Sequence, residues 1–63
     1  MRNDIKKIRK ELGIRQEDLA NLVGATRQTI IAIENNKYNP SLELAMRLAQ
    51  VLKTPVENLF FLD

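Results

Sequence analysis

Arg27, Gln28 and Ile31 are the residues of this chain whose types and spacing suit recognition chemistry. A glutamine amide can pair with an adenine edge through both of its polar atoms. An arginine fork can take guanine or a phosphate, and an isoleucine can meet a thymine methyl. Catalysis has far less to work with. The chain has neither cysteine nor histidine, which removes disulfides, thiolate chemistry, and the commonest metal ligand and general base. No catalytic residue, metal site or cofactor is expected.

For those side chains to act together they must leave one face of one helix, and the run 16–34, QEDLANLVGATRQTIIAIE, predicts such a helix as the second of a pair. Leu19, Ala20, Leu22 and Val23 are periodic, and Gly24 follows them where a helix end needs a residue that tolerates positive φ. Thr26 can cap the next helix, leaving Gly24, Ala25 and Thr26 between the two. So short a turn makes the helices cross steeply, and Ala20 is the small residue that lets them touch. Ile30 and Ile33, one turn apart, form the inward ridge of the second helix. With ~100° of rotation per residue, Gln28 and Asn35 then point away from the core, Ile31 and Ala32 lie beside them, and Arg27 stands at the N-terminal flank. The alternative is a solvated face of an ordinary small bundle, since Gln and Arg favour helix surfaces. Ile31 argues against it, because an outward apolar β-branched residue does no packing.

The flanking segments read as supports. Asn3 or Asp4 can cap a first helix carrying Ile5, Ile8 and Leu12 on one face and ending at Gly13. Lys6, Lys7 and Lys10 decorate its outer side, mostly as a solvated face. Gln16 falls at the N-terminus of the next helix, where free N–H groups make a natural anion seat; a plain helix start before Glu17 and Asp18 is the competing reading. The run 35–40, NNKYNP, is turn chemistry beside the reading helix, so Asn35, Lys37, Tyr38 and Asn39 are candidates to hold a phosphate backbone. Ser41 caps a fourth helix with Leu44, Ala45, Leu48, Ala49 and Leu52 inward and the pair Glu43 and Arg47 outside. Thr54 and Pro55, with Glu57 completing a capping box, predict a fifth helix to about Phe61 with Val56 and Leu59 inward.

The combination Gln16, Leu19, Ala20, Gly24, Ile30, Ile33, Glu34 and Asn39-Pro40-Ser41 resembles the phage repressor and Cro type of helix-turn-helix, the Xre family, from about Ile5 to Leu59. Asn36 departs from it, standing where family members usually carry glycine, but asparagine also tolerates the left-handed conformation. The resemblance implies an all-α, compact five-helix bundle of the lambda-repressor-like kind. It also implies an ion pair between Arg9 and Glu34, and a phosphate contact by Gln16. Thr26, Arg27, Gln28, Ile31, Ala32, Asn35, Lys37, Tyr38 and Asn39 complete the expected DNA-facing set.

Size and charge fit that reading. Sixty-three residues form one expected domain, burying only ~60% of the unfolded surface. Net charge is +2, but residues 1–40 carry eight Lys or Arg against five Asp or Glu, whereas residues 41–63 carry two against three. The basic excess lies on the reading half. No apolar run suits a membrane span or signal peptide, so a cytoplasmic protein is expected. Phe60, Phe61 and Leu62 supply more apolar surface than one small core can take, and are expected to pair a homodimer on a palindromic double-stranded operator. A transcriptional repressor acting by operator occlusion is the expected function. An antitoxin of a toxin pair, or a protein-interaction module on the same fold, stands as the alternative.

Overall fold

Seven short elements follow one another in the computed structural model, which describes residues 1–62. They are β1 (Arg2–Asn3), α1 (Ile5–Glu11), α2 (Gln16–Val23), α3 (Arg27–Glu34), α4 (Leu42–Val51), α5 (Val56–Leu59) and β2 (Phe60–Phe61). The helices are the architecture, as the all-α reading expects. The small antiparallel pairing of β1 with β2, Arg2 opposite Phe61 and Asn3 opposite Phe60, is an addition that helical periodicity gave no sign of.

One apolar cluster draws on every helix. Ile5, Leu19, Ile30, Ile33, Leu48, Leu52 and Leu59 are fully enclosed, with Ala20, Val23, Ala45 and Phe60 beside them. Burial of each large aliphatic contributes ~1.5–3 kcal/mol. The first four helices stop in the same way, with a left-handed residue just past the end: Gly13 at φ 71°, Gly24 at 74°, Asn36 at 60° and Lys53 at 53°. After α3, Asn36 N–H donates to the Ile33 carbonyl at 3.0 Å and Lys37 N–H to the Ala32 carbonyl at 2.9 Å, closing the last turn. Asn36 therefore takes the left-handed conformation that asparagine tolerates.

Two sequence expectations are corrected, and a third is resolved between its alternatives. Leu12 is 46% exposed: α1 ends at Glu11, and the chain turning through Gly13 brings Ile14 against the core instead. The α1 start is met by Asn3, whose Oδ1 accepts from Ile5 N–H at 3.1 Å, while Asp4 makes no side-chain cap. At the other end, α5 stops at Leu59 and no capping box forms; the Thr54 hydroxyl donates to the Leu52 carbonyl at 3.0 Å, and Phe60 and Phe61 leave the helix for β2. Backbone pairing to β1 satisfies those residues in a way a further helical turn would forgo. The α4 stripe is as expected, but Leu42 and Met46, one turn apart, lie outside it at 74% and 52% exposed.

Candidate nucleic-acid interface

The α2–α3 unit is set by its turn. Gly24 carries Ala25 N–H back to the Ala20 carbonyl at 2.9 Å, and a Cβ on Gly24 would meet only the tip of Arg47 at 3.3 Å. Its positive φ, more than lack of space, is the reason for glycine there. Thr26 caps α3 by accepting from Thr29 N–H at 3.2 Å, with the two hydroxyls 3.0 Å apart. Ala20 is buried at the crossing, and Ile30 and Ile33 are sealed beneath α3.

That seating turns the other face of α3 outward. Thr26, Arg27, Gln28 and Asn35 are exposed, as are Lys37, Tyr38 and Asn39 in the loop that follows. Ile31 and Ala32 are only half-buried, and Ile31 lies outside the core cluster. Ile31 is thus partly shielded at the edge of the face and less fully presented than its spacing suggests.

Glu34 is the only carboxylate in residues 26–39, and it is turned inward. Arg9 donates to it through Nε at 2.7 Å and Nη2 at 3.2 Å, with the two side chains 7% and 2% exposed. The remaining Arg9 nitrogen donates to the Ile14 carbonyl at 2.9 Å. Gln16 joins the same carboxylate, its Nε2 donating to Glu34 Oε1 at 3.0 Å. One carboxylate therefore ties α1, the start of α2 and the end of α3 together. No buried side-chain polar atom is left without a partner among the described residues. Gln16 is half-buried and held in place at the helix start, leaving one amide proton for an outside acceptor.

Beside Gln16 an open cleft of about 470 Å³ gathers Lys6 and Lys10 from α1, Arg15 and Glu17 at the start of α2, and Arg27 at the start of α3, with Arg9 at its base. The sequence reading leaves Lys6 with Lys7 and Lys10 on a mostly solvated face of α1, although its i,i+4 spacing from Lys10 is a sign of the shared patch. Arg15 is paired at 3.0 Å with Asp18. That hydrogen bond raises the Arg15 guanidinium above its ordinary pKa and holds the Asp18 carboxyl below its own, so both stay charged and Arg15 is partly neutralised. The tail residues divide as well. Phe60 is buried within this chain, Phe61 is half-buried, and Leu62 is 88% exposed. Among the described residues, no helix is long and apolar enough to cross a membrane.

A helix pair joined by a three-residue turn, the second helix capped by Thr26 and carrying no carboxylate on its outer face, defines a helix-turn-helix unit. The helix-turn-helix family model matches residues 5–59, and the chain belongs to that family, in its Xre, lambda-repressor-like branch of DNA-binding transcriptional regulators. An HTH-type transcriptional regulator of Methanothermobacter thermautotrophicus is 55% identical over 64 residues, spanning 100% of this chain and 93% of that protein. One from Archaeoglobus fulgidus is 46% identical over 63 residues, spanning 100% and 90%. Among solved structures, the restriction-modification controller protein C.AhdI from Aeromonas hydrophila superposes with a TM-score of 0.82 at 32% identity, over 89% of this chain and 85% of that one. The N-terminal DNA binding domain of SinR from Bacillus subtilis gives 0.75 at 34% identity, over 82% and 77%.

Proposed function

We propose that this regulator binds a palindromic operator as a homodimer and represses by occluding it. α3 lies in the major groove, with Gln28 reading a base edge and Arg27 a guanine or a phosphate, while Ile31 and Ala32 line the contact. Lys37, Tyr38, Asn39 and Asn35 hold one stretch of backbone, and Gln16 with Lys6 and Lys10 holds another. The observation that carries this reading is the burial of Glu34. With the one local carboxylate folded onto Arg9, the face of α3 presents cations, amides, hydroxyls and the partly exposed Ile31 and Ala32, and no negative charge, to a phosphate-rich partner. A surface kept only for solvation has no need of that arrangement.

A single reading helix makes too small an interface for useful specificity, so two half-sites ~34 Å apart are required. Leu62 and the open side of Phe61, with Val56 and Met1 nearby, supply the pairing surface. Selection of bound sites from a random duplex pool tests the proposal directly. Recovery of a two-fold symmetric site, whose affinity falls ~10³ or more between 50 and 200 mM salt, is the expected result for a dimer with at least six phosphate contacts. A pool without enrichment, or a flat salt response, overturns it.

A further inference from the structure

We infer that Asn3 is a positioning residue that fixes the C-terminal pairing surface against the end of the reading helix, and so sets which half-site spacing a dimer of this chain accepts. The inference rests on the dimeric reading above.

The Asn3 side chain is used on two elements besides its own. Its Nδ2 donates to the Ile33 carbonyl at 2.8 Å and to Asn36 Oδ1 at 3.1 Å, while its Oδ1 accepts from Ile5 N–H at 3.1 Å. Rotating the amide by half a turn would set its oxygen against two acceptors, so the partners fix its orientation. The Asn3 backbone meanwhile lies in β1 opposite Phe60. Next to it Asp4 N–H donates to the Leu59 carbonyl at 2.9 Å, and the Arg2 guanidinium stands 6.0 Å above the Phe61 ring. One residue is therefore bonded through its side chain to the last turn of α3 and through its strand to the segment leading into Leu62. The Ile33 carbonyl it uses is also the one that closes the left-handed turn at Asn36, one residue before Lys37.

This placement matters because a two-fold axis at the tail doubles any error at the joint. In each protomer the path from axis to reading helix runs through β2, β1 and Asn3 to α3. Two binding modules gain ~10²–10⁴ in affinity when their linkage lets both engage, and lose it when the geometry forbids this. Burial of Leu59 and Phe60 and a ladder of two residues per strand hold the tail against the core, but such contacts tolerate small shifts and leave its angle to α3 in need of a directional restraint. The three Asn3 hydrogen bonds supply that restraint.

The test compares duplexes carrying one half-site with duplexes carrying two at a series of spacings. Asn3→Asp keeps the acceptor for Ile5 N–H and removes both donated bonds; Asn3→Ala removes all three; Asn36→Gly keeps the left-handed turn and removes one acceptor. The expected result is unchanged affinity for a single half-site and a spacing preference flattened about tenfold or more in Asn3→Asp and Asn3→Ala, out of the ~10²–10⁴ that joint engagement supplies. Asn36→Gly, which disturbs folding least, should flatten it partially. If all three variants keep the wild-type spacing preference, or lose single half-site affinity in parallel, Asn3 does not act in this way. If the wild-type protein itself gains nothing from a second half-site at any spacing, the dimeric reading fails instead.

Discussion

The two ends of this molecule are held by different physics. Around α3 the fastening is polar: a buried carboxylate shared by Arg9 and Gln16, and a hydroxyl cap on Thr29 N–H. Around the termini it is mainly apolar and main-chain, with Leu59 and Phe60 in the core and a short strand pair, and the Asn3 amide is the polar link from there to α3. A polar clamp specifies orientation, because its hydrogen bonds fail when partners rotate, whereas apolar burial tolerates small shifts. The reading face is thus built to hold an angle, and the tail to close the core while leaving Leu62 exposed.

The largest test of that contrast is Glu34→Ala, which strands the Arg9 charge in a site where the pair is 7% and 2% exposed. Breaking a buried pair costs ~3–5 kcal/mol, which at ~4–8 °C per kcal/mol for a domain this small lowers Tm by more than ~10 °C. Glu43→Ala breaks an exposed pair, 54% and 72% accessible, and should cost under ~1 kcal/mol. Equal losses in thermal denaturation would erase the distinction between clamp and surface.

At the tail, Leu62→Glu is the cleaner probe, because Leu62 is 88% exposed and Phe61 is half-buried. Stability should hold while affinity for the palindrome drops by ~10²-fold as one half-site is lost from joint engagement. Sedimentation shows whether the variant is monomeric; a variant still dimeric places the pairing surface elsewhere, the exposed pair Leu42 and Met46 on α4 being the next candidate.

Within the reading face, Gln28→Ala should lose ~1–3 kcal/mol of discrimination at one base pair per half-site, and Lys37→Ala should weaken all duplexes alike. Competition binding against single-base variants separates the two. Gln28 is a backbone contact if its loss lowers specific and non-specific binding equally.

The smallest expected effect is at Lys53, a lysine at φ 53°. A left-handed residue with a Cβ is strained by ~1–2 kcal/mol. Lys53→Gly should therefore gain about 0.5–1 kcal/mol after glycine's entropy is set against it, read as a Tm rise. Because the site lies at the far end of α4, DNA affinity should not change.

What the sequence determined by itself was carried by short-range pattern. Gly24, Thr26, Ala20 and the Ile30–Ile33 ridge fixed the helix pair, and once the inward ridge was known the outward residues followed from rotation alone. The Arg9–Glu34 pair was readable only through family resemblance, since 25 residues separate the partners. Tertiary structure decided the rest. Gln16 came to share Glu34, and Lys6 came to line the cleft with Arg27, because α1, α2 and α3 converge there. Thr54, Pro55 and Glu57 carried a sound local helix-start signal, yet the chain left α5 early. Phe60 and Phe61 had backbone partners waiting at Arg2 and Asn3, and local propensity counts for little against pairing that buries Phe60 in the core. Such pairing joins residues almost a full chain length apart, a distance that no window of sequence spans.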